Sequence, residues 1–335
     1  MTAAERIVAW LGAADGPLSG EELARRLGCS RAAVWKHVAA LRRQGYRIDA
    51  RPAVGYVLAR VPDRLGPAEL APHLRGSWRD VRWFASVDST QRVARELARG
   101  GAAEGTIVVA ERQTAGRGRL GRQWHSPEGM NLYCSIVLRP RLPPAAVPQI
   151  ALVAGVAVAA AVAEETGRPP GIKWPNDVLL DGRKVAGVLT EMESEIERVH
   201  HVIAGIGVNL NARESAFPRE LRGKASSLFA RTGVRVDRAA FTGRLLAATE
   251  SRYGRFLTEG PSSVVAEWES YSCLTGKHVR VASADGELAG RVLGLDTDGA
   301  LRLAGPRGDV IRVVAGEVTV RDGYEGSSRC CSRST

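Results

Sequence analysis

Near the N-terminus, Ile7, Val8 and Leu11 recur at helical spacing. Ser19-Gly20-Glu21-Glu22 spells a capping box, with Ser19 capping a helix through Leu23 and Leu27 and Glu22 reaching back. Gly28 stops that helix. Ser30 caps the next, on which Val34, Val38 and Leu41 (i, i+4, i+7) make one apolar face. Gly45 ends it. Tyr46–Asp49, a turn through Pro52 and Gly55, and Tyr56–Ala59 read as a short hairpin. Two helices joined by a tight Gly-Cys turn and followed by a hairpin predict a winged helix-turn-helix.

Pro62, Gly66, Pro67 and Pro72 read as a linker. Beyond it, Asp88 or Ser89 caps a helix through Val93 and Leu97, and 107–110 is a strand. Leu132, Cys134, Ile136 and Leu138 alternate, so 131–139 is another strand. An Ala-rich helix is expected over 147–166. The stretches IKWPNDVLL and KVAGVLTEM read as two strands joined by Asp181-Gly182, a hairpin turn. HVIAGIGVNLN is a further strand, and helices are expected over 237–257, capped by Asp237, and 262–272. From 273 the texture changes to short strands separated by Asp-Gly and Gly-Asp turns, the pattern of a small all-β barrel. The tail EGSSRCCSRST is polar and expected to be disordered. The fold class is therefore α+β. The expected units are 1–62, 63–272 and 273–323, with a tail at 324–335.

Composition adds a bias in partners. The chain of 335 residues is 44% hydrophobic and carries a formal net charge of +11, which favours polyanions such as nucleic acid or nucleotides. Cys29, Cys134, Cys273, Cys330 and Cys331 have no zinc-ligand spacing and fit a reducing cytosol. The N-terminus lacks a signal-peptide pattern, and the apolar run from Ile150 to Ala163 reads as a core helix. A cytoplasmic protein with no membrane partner is expected.

The stretch TAGRGRLGRQWHSP contains a literal G-x-G-x-x-G at Gly116, Gly118 and Gly121. A dinucleotide loop needs a strand before it and a helix after it. The strand is present, but Pro127, Gly129 and an alternating strand follow. No Gly-Lys-Ser/Thr follows either, so a Walker loop is excluded. The arginines are the better guide. Gly lets backbone approach a ligand closely, and Arg117 and Arg119 offer planar forks suited to phosphate or carboxylate.

Several motifs now stand in one order. They are Asp88-Ser89-Thr90, the run from Gln113 to Trp124, Lys173-Trp174-Pro175-Asn176-Asp177, Arg183 to Leu189, Gly205 to Asn211, and Gly316-Glu317-Val318. In this order they resemble the bifunctional biotin protein ligases of the biotin operon repressor type, over about residues 5–322. The resemblance implies a class II synthetase-like mixed sheet in the centre and an SH3-like barrel at the end. It implies biotin and ATP as substrates, Mg²⁺, a carboxylase acceptor domain, operator DNA, and a homodimer when ligand is bound. It places Lys184, Arg117 and Arg119 in catalysis. Ser89, Thr90, Gln91, Gln113, Gly116, Gly118, Gly187 and Gly207 would join those three around biotin. Arg119, Arg122, Trp124, Asn176 and Asn209 would hold ATP, and Asp177 the metal. Ser30, Arg31, Lys36 and Arg42 would face DNA. Two positions depart from the family: Trp35, where a small polar residue is usual, and Gln91, where Asn is common. A ligand-sensing regulator without ligase activity and a lipoate ligase are the alternatives.

Overall fold

The computed structural model describes residues 2–51, 54–283, 286–306 and 308–320. The expected tail, with Cys330 and Cys331, lies outside them. The head comprises α1 (Ala3–Ala13), α2 (Gly20–Leu27), α3 (Arg31–Arg43) and the antiparallel hairpin β1 (Arg47–Arg51) and β2 (Gly55–Arg60). Val34, Val38 and Leu41 are buried with Ile7, Leu23 and Ile48 in one small core. Ser19 caps α2, accepting from the Glu22 amide at 3.1 Å. The expected return bond from Glu22 is not made, because its carboxylate pairs with Arg25 and Arg26 one turn on. The reciprocal box forms instead at α1, between Thr2 and Glu5.

The proline-rich stretch is not a loose linker. It contains a short helix, α4 (Pro67–Leu70), whose Ala68 joins the head core while Leu65, Leu70 and Leu74 join the main core. Turn residues told of a boundary, but the apolar residues between them bury on both sides of it. Arg238 clamps the same stretch. Its fully buried guanidinium donates to Asp63 Oδ1 and to the Asp63 carbonyl, both at 2.7 Å, and lies 2.9 Å from Glu111.

The central unit runs β3 (Val81–Val87), α5 (Thr90–Arg99), β4 (Ile107–Gln113), β5 (Leu132–Leu138), α6 (Gln149–Thr166), β6 (Gly171–Lys173), β7 (Asp177–Leu180), β8 (Arg183–Ser194), β9 (Val199–Val208), α7 (Leu228–Thr232), α8 (Arg238–Glu259) and α9 (Ser262–Tyr271). Its seven strands lie in the order β3-β4-β5-β9-β8-β7-β6; β3 and β4 are parallel and the other pairs antiparallel. IKWPNDVLL is thus two strands, β6 and β7, turning at Trp174–Pro175, where the peptide is cis. α6 covers one face of the sheet, with α8 and α9 packed behind it. Among the described residues, the segment Pro144–Thr166 is the one helix long and apolar enough to cross a membrane, yet it is 67% buried in this core. α5 covers part of the other face, where Val137 packs against Ala94 and Ala98, so every residue of β5 is buried.

The C-terminal strands are β10 (His278–Ser283), β11 (Gly286–Leu295), β12 (Leu301–Ala304), β13 (Val310–Val313) and β14 (Glu317–Val320). They form one antiparallel sheet in the order β13-β12-β11-β10-β14. Trp174 Nε1 donates to the Gly299 carbonyl at 3.2 Å, which docks this sheet beside β6.

Candidate active site

Strand pairing decides which side chains share the uncovered face. Tyr133 and Ser135 on β5 stand opposite Gly207 and Gly205 on β9; Gly207 stands opposite Gly187 on β8, and Gly187 opposite Asp177 on β7. Directly paired residues point to one side of a sheet. Three glycines therefore make a floor without side chains. The indole of Trp124 lies on it: a Cβ at Gly207 would come within 2.6 Å of the ring, and one at Gly187 within 3.2 Å. This floor is the base of a pocket of about 500 Å³, in the size range of small-molecule sites.

The walls come from three directions. From one side, α5 starts at the pocket, its first turn carrying Ser89, Thr90 and Gln91. Ser135 donates to the Thr90 hydroxyl at 2.9 Å, and Thr90 donates to Gln113 Oε1 through its backbone N–H at 2.9 Å and its hydroxyl at 3.1 Å. Gln113 in turn donates to Ser126 at 2.9 Å. Ser89 sits at the cap position but makes no capping bond; its hydroxyl is buried with no partner among the described residues. From the opposite side come β7 and β8. Lys184 Nζ lies 2.6 Å from Asp177 and 5.4 Å from the centre of the Trp124 ring. The stretch from Phe217 to Ala225 completes that wall and is tied to β8 by Lys184 N–H donating to the Lys224 carbonyl at 3.0 Å.

The glycine-arginine loop forms the roof. Arg117 lies 3.2 Å from Glu191, and Arg119 donates to Asn176 Oδ1 and to the Gly316 carbonyl, each at 3.3 Å. Arg122 pairs with Glu317, so the C-terminal sheet reaches the pocket rim. Burial pulls Arg119 below the usual arginine value, against the carboxylates of Asp177 and Glu317. The Arg122 hydrogen bond holds the Glu317 carboxyl below its usual value.

Residues 83–209 match the biotin/lipoate A/B protein ligase family, 4–57 an HTH domain and 274–321 the biotin protein ligase C-terminal domain. The bifunctional ligase/repressor BirA of Bacillus subtilis is 42% identical over 288 residues, 85% of this chain and 89% of that protein. The chain belongs to the biotin protein ligase family. Another member, the biotin–[acetyl-CoA-carboxylase] ligase of Paracoccus denitrificans, is 36% identical, with 67% of this chain and 94% of that one covered. The structure of biotin protein ligase from Aquifex aeolicus in complex with biotin and ATP superposes with a TM-score of 0.63 at 33% identity, covering 72% of this chain and 99% of that one.

In this biotin protein ligase the pocket collects nearly all the residues singled out by sequence. Ser89, Thr90, Gln91, Gln113, Arg117, Gly118, Arg119, Arg122, Trp124, Asn176, Asp177, Lys184, Gly187, Gly207 and Asn209 all line it. Gly116 does not. It stands behind the wall, where a Cβ would lie 2.5 Å from the Trp124 carbonyl. Both asparagines expected at ATP are engaged within the protein: Asn209 donates to the Ser226 carbonyl at 3.0 Å, and Asn176 to the Val188 carbonyl at 2.6 Å. Tyr133, Ser135 and His125 also line the pocket, as do Gly205 and Glu317, which the motifs contain but to which the sequence assigned no site role. Tyr133 and Ser135 had a signal, since they are the alternate positions of the strand whose other face is aliphatic.

In the head, Arg31, Lys36 and Trp35 are exposed on α3, Trp35 at 60%. Arg42 is not a free cation. It donates to the Ile48 carbonyl at 2.9 and 2.6 Å, tying α3 to the hairpin. The Ser30 hydroxyl caps α3, accepting from the Ala33 amide at 3.2 Å.

Proposed function

We propose that this chain activates biotin with ATP to biotinyl-5′-adenylate, transfers biotin to a lysine of a carboxylase acceptor domain, and represses transcription through its helix-turn-helix head. The observation that carries the proposal is one pocket joining Lys184, Arg117, Arg119 and Arg122 to an uncharged polar corner, where Ser89 and Thr90 are buried and Gln113 half-buried. A uniformly anionic ligand needs no such corner; an acid with a polar, uncharged head does.

In the first step the biotin carboxylate attacks the α-phosphorus of ATP. The P–O bond to pyrophosphate breaks, and its electron pair leaves with pyrophosphate. An anion approaches a polyanion, so fixed cations lower the barrier by being in place beforehand. Lys184 stands on a rigid strand and is aimed by Asp177. Arg119 is half-buried, where a charge acts through less water. Arg117 and Arg122, more exposed, close over the phosphates. In the second step the acceptor amine attacks the acyl carbon, the C–O bond to AMP breaks, and the new ammonium releases a proton. The acceptor supplies the nucleophile.

Mg²⁺ fits the pocket on its donor set. No group of three metal-binding side chains exists among the described residues, but Mg²⁺ is commonly held by one or two carboxylates and substrate phosphates. Asp177 would hold it, and the metal would neutralise phosphate charge.

For the head, Arg31 near the start of α3 would meet base edges and Lys36 a phosphate. A ligand-bound homodimer would set two heads on two half-sites.

The test is biotin-dependent exchange between ATP and labelled pyrophosphate, beside biotin labelling of a purified acceptor domain. Wild type should do both, and Lys184→Ala should lose about 10²–10³-fold in rate, as for a lost oxyanion donor. A well-folded wild type that binds biotin yet gives no exchange would leave only a sensor; preference for lipoate in competition would leave a lipoate ligase.

A further inference from the structure

Gln91 sits at the edge of the glycine floor, 4% exposed, on the first turn of α5. Its Nε2 lies 3.2 Å from the Leu189 carbonyl, 3.2 Å from a Glu191 carboxylate oxygen and 3.5 Å from the Ile203 carbonyl. All three partners are acceptors, and an ionised carboxylate only accepts. The amide is therefore fixed with its nitrogen toward them. Its carbonyl oxygen must point the other way, over Gly205, where a Cβ would come within 2.8 Å of it. That oxygen is buried and has no donor among the described residues. A buried acceptor left unpaired is costly, so it marks a place where a ligand donor completes the arrangement.

Glu191 is the charged, side-chain partner among the three acceptors that set this orientation. Arg95 of α5 donates to it at 2.5 Å and Arg117 lies 3.2 Å away, so the carboxylate is held from two sides while it accepts from Gln91. Glu191 is paired with Ile203 on the α5 side of the sheet and does not itself line the pocket.

We propose that Glu191 is a positioning residue for substrate recognition: it locks Gln91 with its carbonyl oxygen facing the pocket, where that oxygen accepts an N–H of the biotin ureido ring. The inference rests on the biotin reading above. The ureido ring offers two N–H donors, and a dithiolane ring offers none. An acceptor that cannot flip to become a donor therefore selects for the ureido head. The longer Gln, in place of the Asn common at this position, spans from α5 to Glu191 and still presents its oxygen at the floor.

The test uses the full chain in biotin-dependent pyrophosphate exchange, with KM for biotin, KM for ATP and kcat measured separately. Glu191→Gln keeps the shape but offers an N–H as well as an acceptor, so Gln91 loses the charged one of the three acceptors that hold its nitrogen. Gln91→Met removes the acceptor. Each should raise KM for biotin about tenfold, with kcat and KM for ATP within about twofold, the signature of lost uniform binding. The double variant should be no worse than Gln91→Met, since one residue acts through the other. Arg95→Met, which removes one of the two arginines that hold Glu191, should raise KM for biotin severalfold and carries the test if Glu191→Gln does not fold. An unchanged KM for biotin in Glu191→Gln or Arg95→Met, effects that multiply in the double variant, or a rise in KM for ATP alone would each overturn the proposal. A wild type that does not turn over biotin would instead sink the ligase reading.

Discussion

Adding one methyl group to the pocket floor tests whether the floor works as described. In Gly207→Ala the new Cβ would lie 2.6 Å from Trp124 Cε2, 2.7 Å from Nε1 and 2.9 Å from Cζ2. All three are atoms of one indole, so the ring must retreat by roughly 0.8 Å to reach ordinary contact. The strand itself cannot yield, because Gly207 is paired on both sides, with Tyr133 and Gly187. Overpacking of this kind costs about 1–3 kcal/mol. If the indole must lie on the floor while the adenylate forms, that cost falls on the transition state, and exchange slows roughly 5- to 150-fold. Gly187→Ala meets Trp124 and Lys184 Cε at 3.2 Å, so its effect should be smaller. Gly155→Ala, inside α6 with open space for a Cβ, should be silent. The assay is pyrophosphate exchange for the three variants, with thermal midpoints measured alongside. Gly207→Ala exchanging within twofold of wild type would refute the argument, as would an equal loss in Gly155→Ala.

Arg238→Met should destabilise the fold by roughly 3–5 kcal/mol, because it strands the buried carboxylate of Glu111 and frees Asp63; a thermal midpoint within a degree of wild type would contradict this. In DNA binding, Lys36→Ala should lower the slope of log K against log salt by about 1. Arg42→Ala should instead destabilise the head by on the order of 1 kcal/mol, read as a lower thermal midpoint, since its hydrogen bonds to the Ile48 carbonyl hold α3 to the hairpin. The Arg122–Glu317 link carries a pH signature. The Glu317 carboxyl is held below its ordinary value of 4.5, chiefly by the Arg122 hydrogen bond, so the stabilisation is complete above that value and lost as pH falls through the lowered one. Glu317→Gln should therefore melt below wild type at pH 7 and converge with it in acid below pH 4.5; a constant difference would rule the link out.

The helices of the head, the Ala-rich core helix and most central strands were legible because each depends on local spacing and caps. Val34, Val38 and Leu41 need only each other and one partner surface to define a face. The motifs were legible too: loop, strand pair and glycine strand each announce themselves over a few residues. What the linear chain lacked was distance. Glu22 at the third helical position had a reciprocal box open to it, and nothing local shows that Arg25 and Arg26 take its carboxylate. Arg42 reads in the chain alone as a DNA contact, and nothing local shows that the hairpin also places the Ile48 carbonyl within its reach. The proline-rich stretch looked like a tether because burial on two sides at once has no period.

By itself, then, the sequence determined the kind of elements, their order and the chemical types gathered in the motifs, since these follow from backbone preferences and side-chain chemistry over a few residues. Only the tertiary structure decided which of those groups are spent on one another. Asp177 is paired to Lys184, Asn209 to Ser226, and Gln91 donates to Glu191, a hundred residues away in the chain. The reason is physical: a hydrogen bond or ion pair depends on separation in space, and strand register sets that separation without leaving a local mark on the sequence.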